Sequence, residues 1–119
     1  ATCLDYGGLA TPGSMQARSL RPVLEGTTTT HRDYVLSGIA GWRMLFDGQH
    51  KLIRGFNPSS TGNGDGSDID AAPILFDHDT DPDELTNIAS ANPSKVRELS
   101  AIMDRETHGF TVGNQSYYR

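Results

Sequence analysis

Between Pro93 and Glu106 the apolar residues Val96, Leu99, Ile102 and Met103 recur at helical spacing and form one stripe. Pro93 suits the first helical position, and Asn92 is the candidate N-cap. Upstream the pattern shortens to strand-like runs at residues 34–39, 42–46 and 50–56, with a fourth around Ile74, Leu75 and Phe76. Gly38 and Gly41 interrupt the first run and its exit. Asp47-Gly48 lies between the second and third runs and signals a hairpin, because a tight turn needs positive φ and glycine tolerates it. Residues 1–6 read as the last turn of a helix, closed by Gly7-Gly8, and residues 18–25 as a short helix stopped by Gly26. Together these elements predict an α+β fold: a small four-stranded, mostly antiparallel sheet covered by a C-terminal helix.

The span 74–89, I-L-F-D-H-D-T-D-P-D-E-L-T-N-I-A, carries the densest local signals. Its apolar run ends in Asp77-His78-Asp79-Thr80. Asp81 reads as an N-cap, Pro82 as the first helical residue and Glu84 as the capping-box acid. Leu85 and Ile88 follow at an i, i+3 spacing, so a helix is expected to start at Asp81.

This span resembles a segment near the C-terminal end of type I sulfatases, where a strand runs into "L-Y-D-x-x-x-D-P-x-E-x-x-N-L-A". Four further pieces are similar in order and spacing. They are A-T-C-L-D-Y-G-G-L-A-T-P at residues 1–12, R-S-L-R-P-V-L-E-G at 18–26, W-R-M-L-F-D-G-Q-H-K-L-I-R-G-F at 42–56, and the helix at 92–104. The likeness covers residues 1–104. Departures from the pattern are Ala17 for Gly, Phe76 for Tyr and Ile88 for Leu; the last two keep the bulk.

The resemblance implies a division into residues 1–26 as the tail end of a catalytic domain and 27–107 as a C-terminal α+β subdomain; residues 108–119 show no clear period and read as a loosely held tail. It implies a parent that hydrolyses sulfate esters with a divalent cation, usually calcium, and a formylglycine made within "C/S-x-P-x-R". Cys3 is followed by Leu4, Asp5 and Tyr6, so that motif is absent from this chain and no catalytic residue carries over. The segment would then be structural, shaping the rim of the substrate pocket, with an N-terminal catalytic domain of the same protein as its partner. Cut free of that partner, it would expose Leu4, Leu9, Leu20 and Val23 or Leu24, and could form a homo-oligomer. The rival reading is a free-standing α+β binding module with acidic, cation-binding loops.

Composition narrows the picture further. Hydrophobic residues make up 35% of 119, so the core is thin, and 13 glycines and 6 prolines fit many turns. A net charge of −5 without a basic cluster argues against nucleic acid, and no apolar run has the length of a membrane span. No signal segment is visible, so the compartment stays open. The single cysteine, Cys3, excludes an internal disulfide and reads as a small buried residue.

The acidic run Asp77, Asp79, Asp81, Asp83 fails the calcium-loop pattern, since the positions that need Gly and Glu hold Pro82 and Ile88. Residues 63–70 superficially resemble a glycine-rich calcium turn, but in one copy only, and read as a loop. His31 and Arg32 are the candidates for the substrate rim, because a guanidinium makes bidentate bonds to an oxyanion; an Arg32–Asp33 surface pair is the plainer alternative. His50, His78 and His108 lack ligand-like spacing, and Tyr34 and Trp42 read as core or inter-domain contacts.

Overall fold

A computed structural model of the chain describes residues 1–59, 66–68 and 70–107. It divides into two units, Ala1–Asp33 and the segment from Tyr34 onward. The tail expected at 108–119 lies outside the described residues.

The second unit is an antiparallel sheet in the order β1-β2-β3-β4, followed by a helix. Its strands are β1 Val35–Ile39, β2 Trp42–Phe46, β3 His50–Arg54 and β4 Ile74–Asp77, and its helix is α3 Pro93–Glu106. The expected α+β class is therefore what the chain adopts. Register places Leu36 opposite Leu45, Leu45 opposite Leu52, and Leu52 opposite Leu75. One leucine row thus crosses all four strands, and its last three members are fully buried. The α3 stripe closes over this row: Leu99 and Met103 are buried, with Val96 and Ile102 packed at the margin. Each such side chain contributes about 1.5–3 kcal/mol by leaving water. Ion pairs Arg54–Asp104 (2.8 Å) and Lys95–Asp47 (3.6 Å) flank the packing. Being partly exposed, they add little.

The β2–β3 hairpin forms where Asp47-Gly48 predicts it. Gly48 takes φ +101°, and the Asp47 carboxylate accepts the amides of Gln49 (3.0 Å) and His50 (2.7 Å). Burial opposes ionisation of Asp47, but these two amides and Lys95 outweigh it and hold the carboxyl below its usual range. Strand β1 runs through Gly38 rather than breaking there. A Cβ at that position would lie 2.5 Å from the Trp42 carbonyl oxygen, so glycine permits the close approach.

Two expectations fail locally. No helix starts at Asp81. Its carboxylate does accept backbone amides, but those of Leu85 (3.1 Å) and Thr86 (2.8 Å), four and five residues on. Glu84 takes φ +57°, left-handed backbone that no α-helix continues through. Leu85 is 82% exposed instead of lining a stripe. Asn92 precedes α3 without capping it by its side chain; its amide donates to the Ile88 carbonyl at 3.0 Å.

The first unit contains α1 Thr2–Tyr6 and α2 Arg21–Leu24. Arg21 organises it. Its Nη1 lies 3.3 Å from the Asp5 carboxylate, its Nε donates to Glu25 at 2.8 Å, and its guanidinium sits 5.0 Å from the Tyr6 ring centroid. None of its side chains is fully buried. Cys3 is exposed, against the expectation of a buried residue, because a five-residue helix here has no core to face.

Candidate functional site

Strand alternation sends Leu52 to the α3 side and its neighbour Lys51 to the opposite face. There Lys51 stands between Phe46 on β2 and Phe76 on β4. The turn after β4 delivers its partners. The Glu84 amide donates to the Asp81 carbonyl at 3.1 Å, and the left-handed backbone at Glu84 turns its carboxylate back onto the sheet. The carboxylate accepts a hydrogen bond from Lys51 Nζ and lies 2.7 Å from His78 Nε2. The His78 ring rests on Phe46 with centroids 5.0 Å apart.

Glu84 is held below its ordinary pKa, first by the Lys51 hydrogen bond, against the pull of burial, and then by His78. A carboxylate kept ionised between two donors is a poor proton acceptor. It makes a good lock joining β3, β4 and the turn. Asp77 is likewise held ionised, first by the Gln49 side chain (3.1 Å) and then by the amide of Asp79. The sequence contained the cue for this lock, since Lys51 and Glu84 belong to the K-L-I and D-P-x-E pieces of the sulfatase-like pattern. Their pairing shows only once the strand register is known.

His31 and Arg32 both belong to the first unit, whereas the cluster of Lys51, His78 and Glu84 is built from residues of the second. Arg32 is exposed, and its Nη2 donates to the Gln16 carbonyl at 3.1 Å. His31 Nε2 is shielded from solvent and, among the described residues, has no hydrogen-bond partner. Tyr34 packs against the leucine core, and Trp42 meets Phe56 edge-on at 5.5 Å. Among the described residues no group of three or more His, Cys, Asp or Glu is arranged to hold a metal ion. The carboxylates of Asp77 and Asp81 accept turn amides. Half of the second calcium-like stretch, residues 63–65 and 69, lies outside the described residues, and so does His108. No helix among the described residues is long and apolar enough to cross a membrane.

No family model matches the chain. It is 30% identical over 112 residues to Arylsulfatase K of Xenopus laevis, a match covering 82% of this chain and 19% of that protein. In sequence and fold the chain matches the C-terminal region of a sulfatase. It spans about a fifth of that curated relative. Three solved structures share the fold. A protein of a glycosaminoglycan-metabolising locus of Bacteroides thetaiotaomicron superposes with a TM-score of 0.71 at 22% identity, covering 90% of this chain and 23% of its own. A 2-O GAG sulfatase gives 0.69 at 24% over the same shares. A protein solved with its substrate D-glucosamine-2-N,6-O-disulfate gives 0.69 at 20%, covering 99% of this chain and 24% of its own.

Proposed function

We propose that this sulfatase region serves as a docking subdomain, seated against a larger catalytic domain through the sheet face opposite α3. The observation that carries this reading is the composition of that face. Val35, Trp42, Met44, Phe46, Ile53 and Phe76 all project there by register, although α3 already covers the other face. An antiparallel sheet with one solvated face alternates apolar with polar residues; this one is apolar on both. The lock of Lys51, Glu84 and His78 lets the face be buried with its lysine already neutralised.

On this reading the parent protein hydrolyses sulfate esters. The divalent cation and the formylglycine that sulfatases employ would both belong to the larger domain. His31 and Arg32 would stand at the rim of its pocket. The exposed Arg32 guanidinium suits a sulfate oxyanion, and Nε2 of His31, without a partner among the described residues, has a hydrogen bond to give or accept.

The test is a chimaera in which this chain replaces the matching segment of Arylsulfatase K. A folded protein that hydrolyses an aryl sulfate is expected. Met44→Asp should abolish its assembly while leaving the isolated chain folded by circular dichroism. A chimaera indifferent to Met44→Asp, or one that never folds, would overturn the docking role.

A further inference from the structure

The two edges of the sheet are treated differently. In the β2–β3 hairpin the Asp47 amide donates to the His50 carbonyl, at 3.1 Å. Antiparallel pairs alternate between bonded and non-bonded, so Leu45 and Leu52 form a bonded pair. Carrying the alternation outward, Lys51 and Ile53 bond to β4, and Leu75 directs its amide and carbonyl away from the sheet. Both are taken there. The Leu75 amide donates to Asn87 Oδ1 at 3.0 Å, and the Leu75 carbonyl accepts the Ile88 amide at 2.9 Å. The β4 edge is closed by its own following turn.

By the same alternation Phe46, Met44 and Trp42 bond to Val35, Ser37 and Ile39, which turns the amides and carbonyls of Leu36 and Gly38 outward. Among the described residues no hydrogen bond reaches them. Strand β1, V-L-S-G-I, carries no charge, no proline and no bulge, the devices that normally protect an edge. Its β-branched residues Val35 and Ile39 are 47% and 56% exposed.

We infer that the β1 edge pairs with β1 of a second copy of this chain, joining two sheets into one of eight strands about a two-fold axis at Ser37. The strand is self-complementary in this register. Leu36 of one copy and Gly38 of the other exchange both backbone bonds. Val35 meets Ile39 across the junction, a β-branched pair that covers the two side chains left exposed. Leu36 extends the leucine row to the junction, and Val35 and Ile39 continue the apolar opposite face across it. No charge sits on the strand to oppose the approach.

The inference does not depend on the docking role, and its test uses the 119-residue chain alone. Sedimentation velocity should show a concentration-dependent dimer. Ser37→Lys, at an exposed position, should raise the dissociation constant roughly tenfold, because two lysines would face each other across the axis. Its circular dichroism melt should stay that of the parent chain. In a Cys3→Ser background, Ser37→Cys should form an intermolecular disulfide under mild oxidation. The two residues form a non-bonded pair with Cα atoms about 4.5 Å apart, within disulfide reach. A chain that stays monomeric, or a dimer unaffected by Ser37→Lys and not cross-linked through Ser37→Cys, would overturn it.

Discussion

The side-chain oxygen of Asn87 accepts the amide of Leu75 at 3.0 Å and the amide of Ala89 at 3.0 Å. A single carboxamide thus stands where a fifth strand would begin, and at the same time fixes the turn that leads into α3. Its Nδ2 lies 3.4 Å from the Pro73 carbonyl, at the entry to β4.

Asn87→Ala should therefore destabilise the fold beyond its surface position. Two partly buried amides lose their acceptor, and each unsatisfied group costs about 1–3 kcal/mol where water cannot replace it. A urea melt should show a lower midpoint with an unchanged slope. Faster hydrogen exchange at Leu75 and Ala89 would place the damage.

Glu84 supplies a pH-dependent contribution whose sign is fixed by its lowered pKa. The folded chain keeps this carboxyl ionised more readily than the unfolded chain does. Its contribution is present above the ordinary glutamate value, about pH 4.3, and is lost as pH falls through the folded one. Glu84→Gln keeps the shape and removes the charge. The variant should melt earlier at neutral pH, because Lys51 loses its counter-charge, and the gap in Tm from the parent should close as the solution is acidified. A constant gap across the titration would show that the Lys51–Glu84 pair contributes by packing alone.

The sheet and α3 were legible in the chain because each local preference agrees with the packing. The Val96–Met103 stripe, the Asp47-Gly48 turn and the four apolar runs all point to the same layer. The segment after β4 was misleading for a physical reason. Asp81, Pro82 and Glu84 form a good helix-start signature, but the tertiary pairing of Glu84 with Lys51 and His78 selects a left-handed backbone that ends it. Propensity is a weak preference, and a long-range ion pair can overrule it. Cys3 failed for a related reason: burial depends on a core, and the 1–33 unit has none of its own. The candidate rim residues His31 and Arg32 came from chemistry rather than periodicity, and nothing in the pattern of the chain located them.

Catalytic silence of the isolated chain is a direct expectation. Its only cysteine lies outside a "C/S-x-P-x-R" context, and the carboxylates of Asp47, Asp81 and Glu84 are committed to turn amides and an ion pair. Incubation with an aryl sulfate, with and without calcium, should give no turnover above a buffer blank. Activity that co-purifies with the chain through a second separation would show that residues here perform chemistry.

The first unit should behave unlike the sheet in the isolated chain. Tyr6, Leu9, Met15, Leu20 and Leu24 are 40–67% exposed, and no side chain between Ala1 and Asp33 is fully buried. What orders it is Arg21 with Asp5 and Glu25, exposed contacts that solvent and salt weaken. Short helices of this length are not stable by themselves in water. Local opening should therefore cost little, and amides of α1 and α2 should exchange far faster than those of Leu45 and Leu52, which open only with the whole sheet. Raising the salt concentration should speed exchange in the first unit and leave the sheet core unchanged. In the Arylsulfatase K chimaera the same amides should become protected, because a larger domain would cover the exposed leucines. Strong protection of residues 1–33 in the isolated chain would instead mean that this segment needs no larger domain to order it.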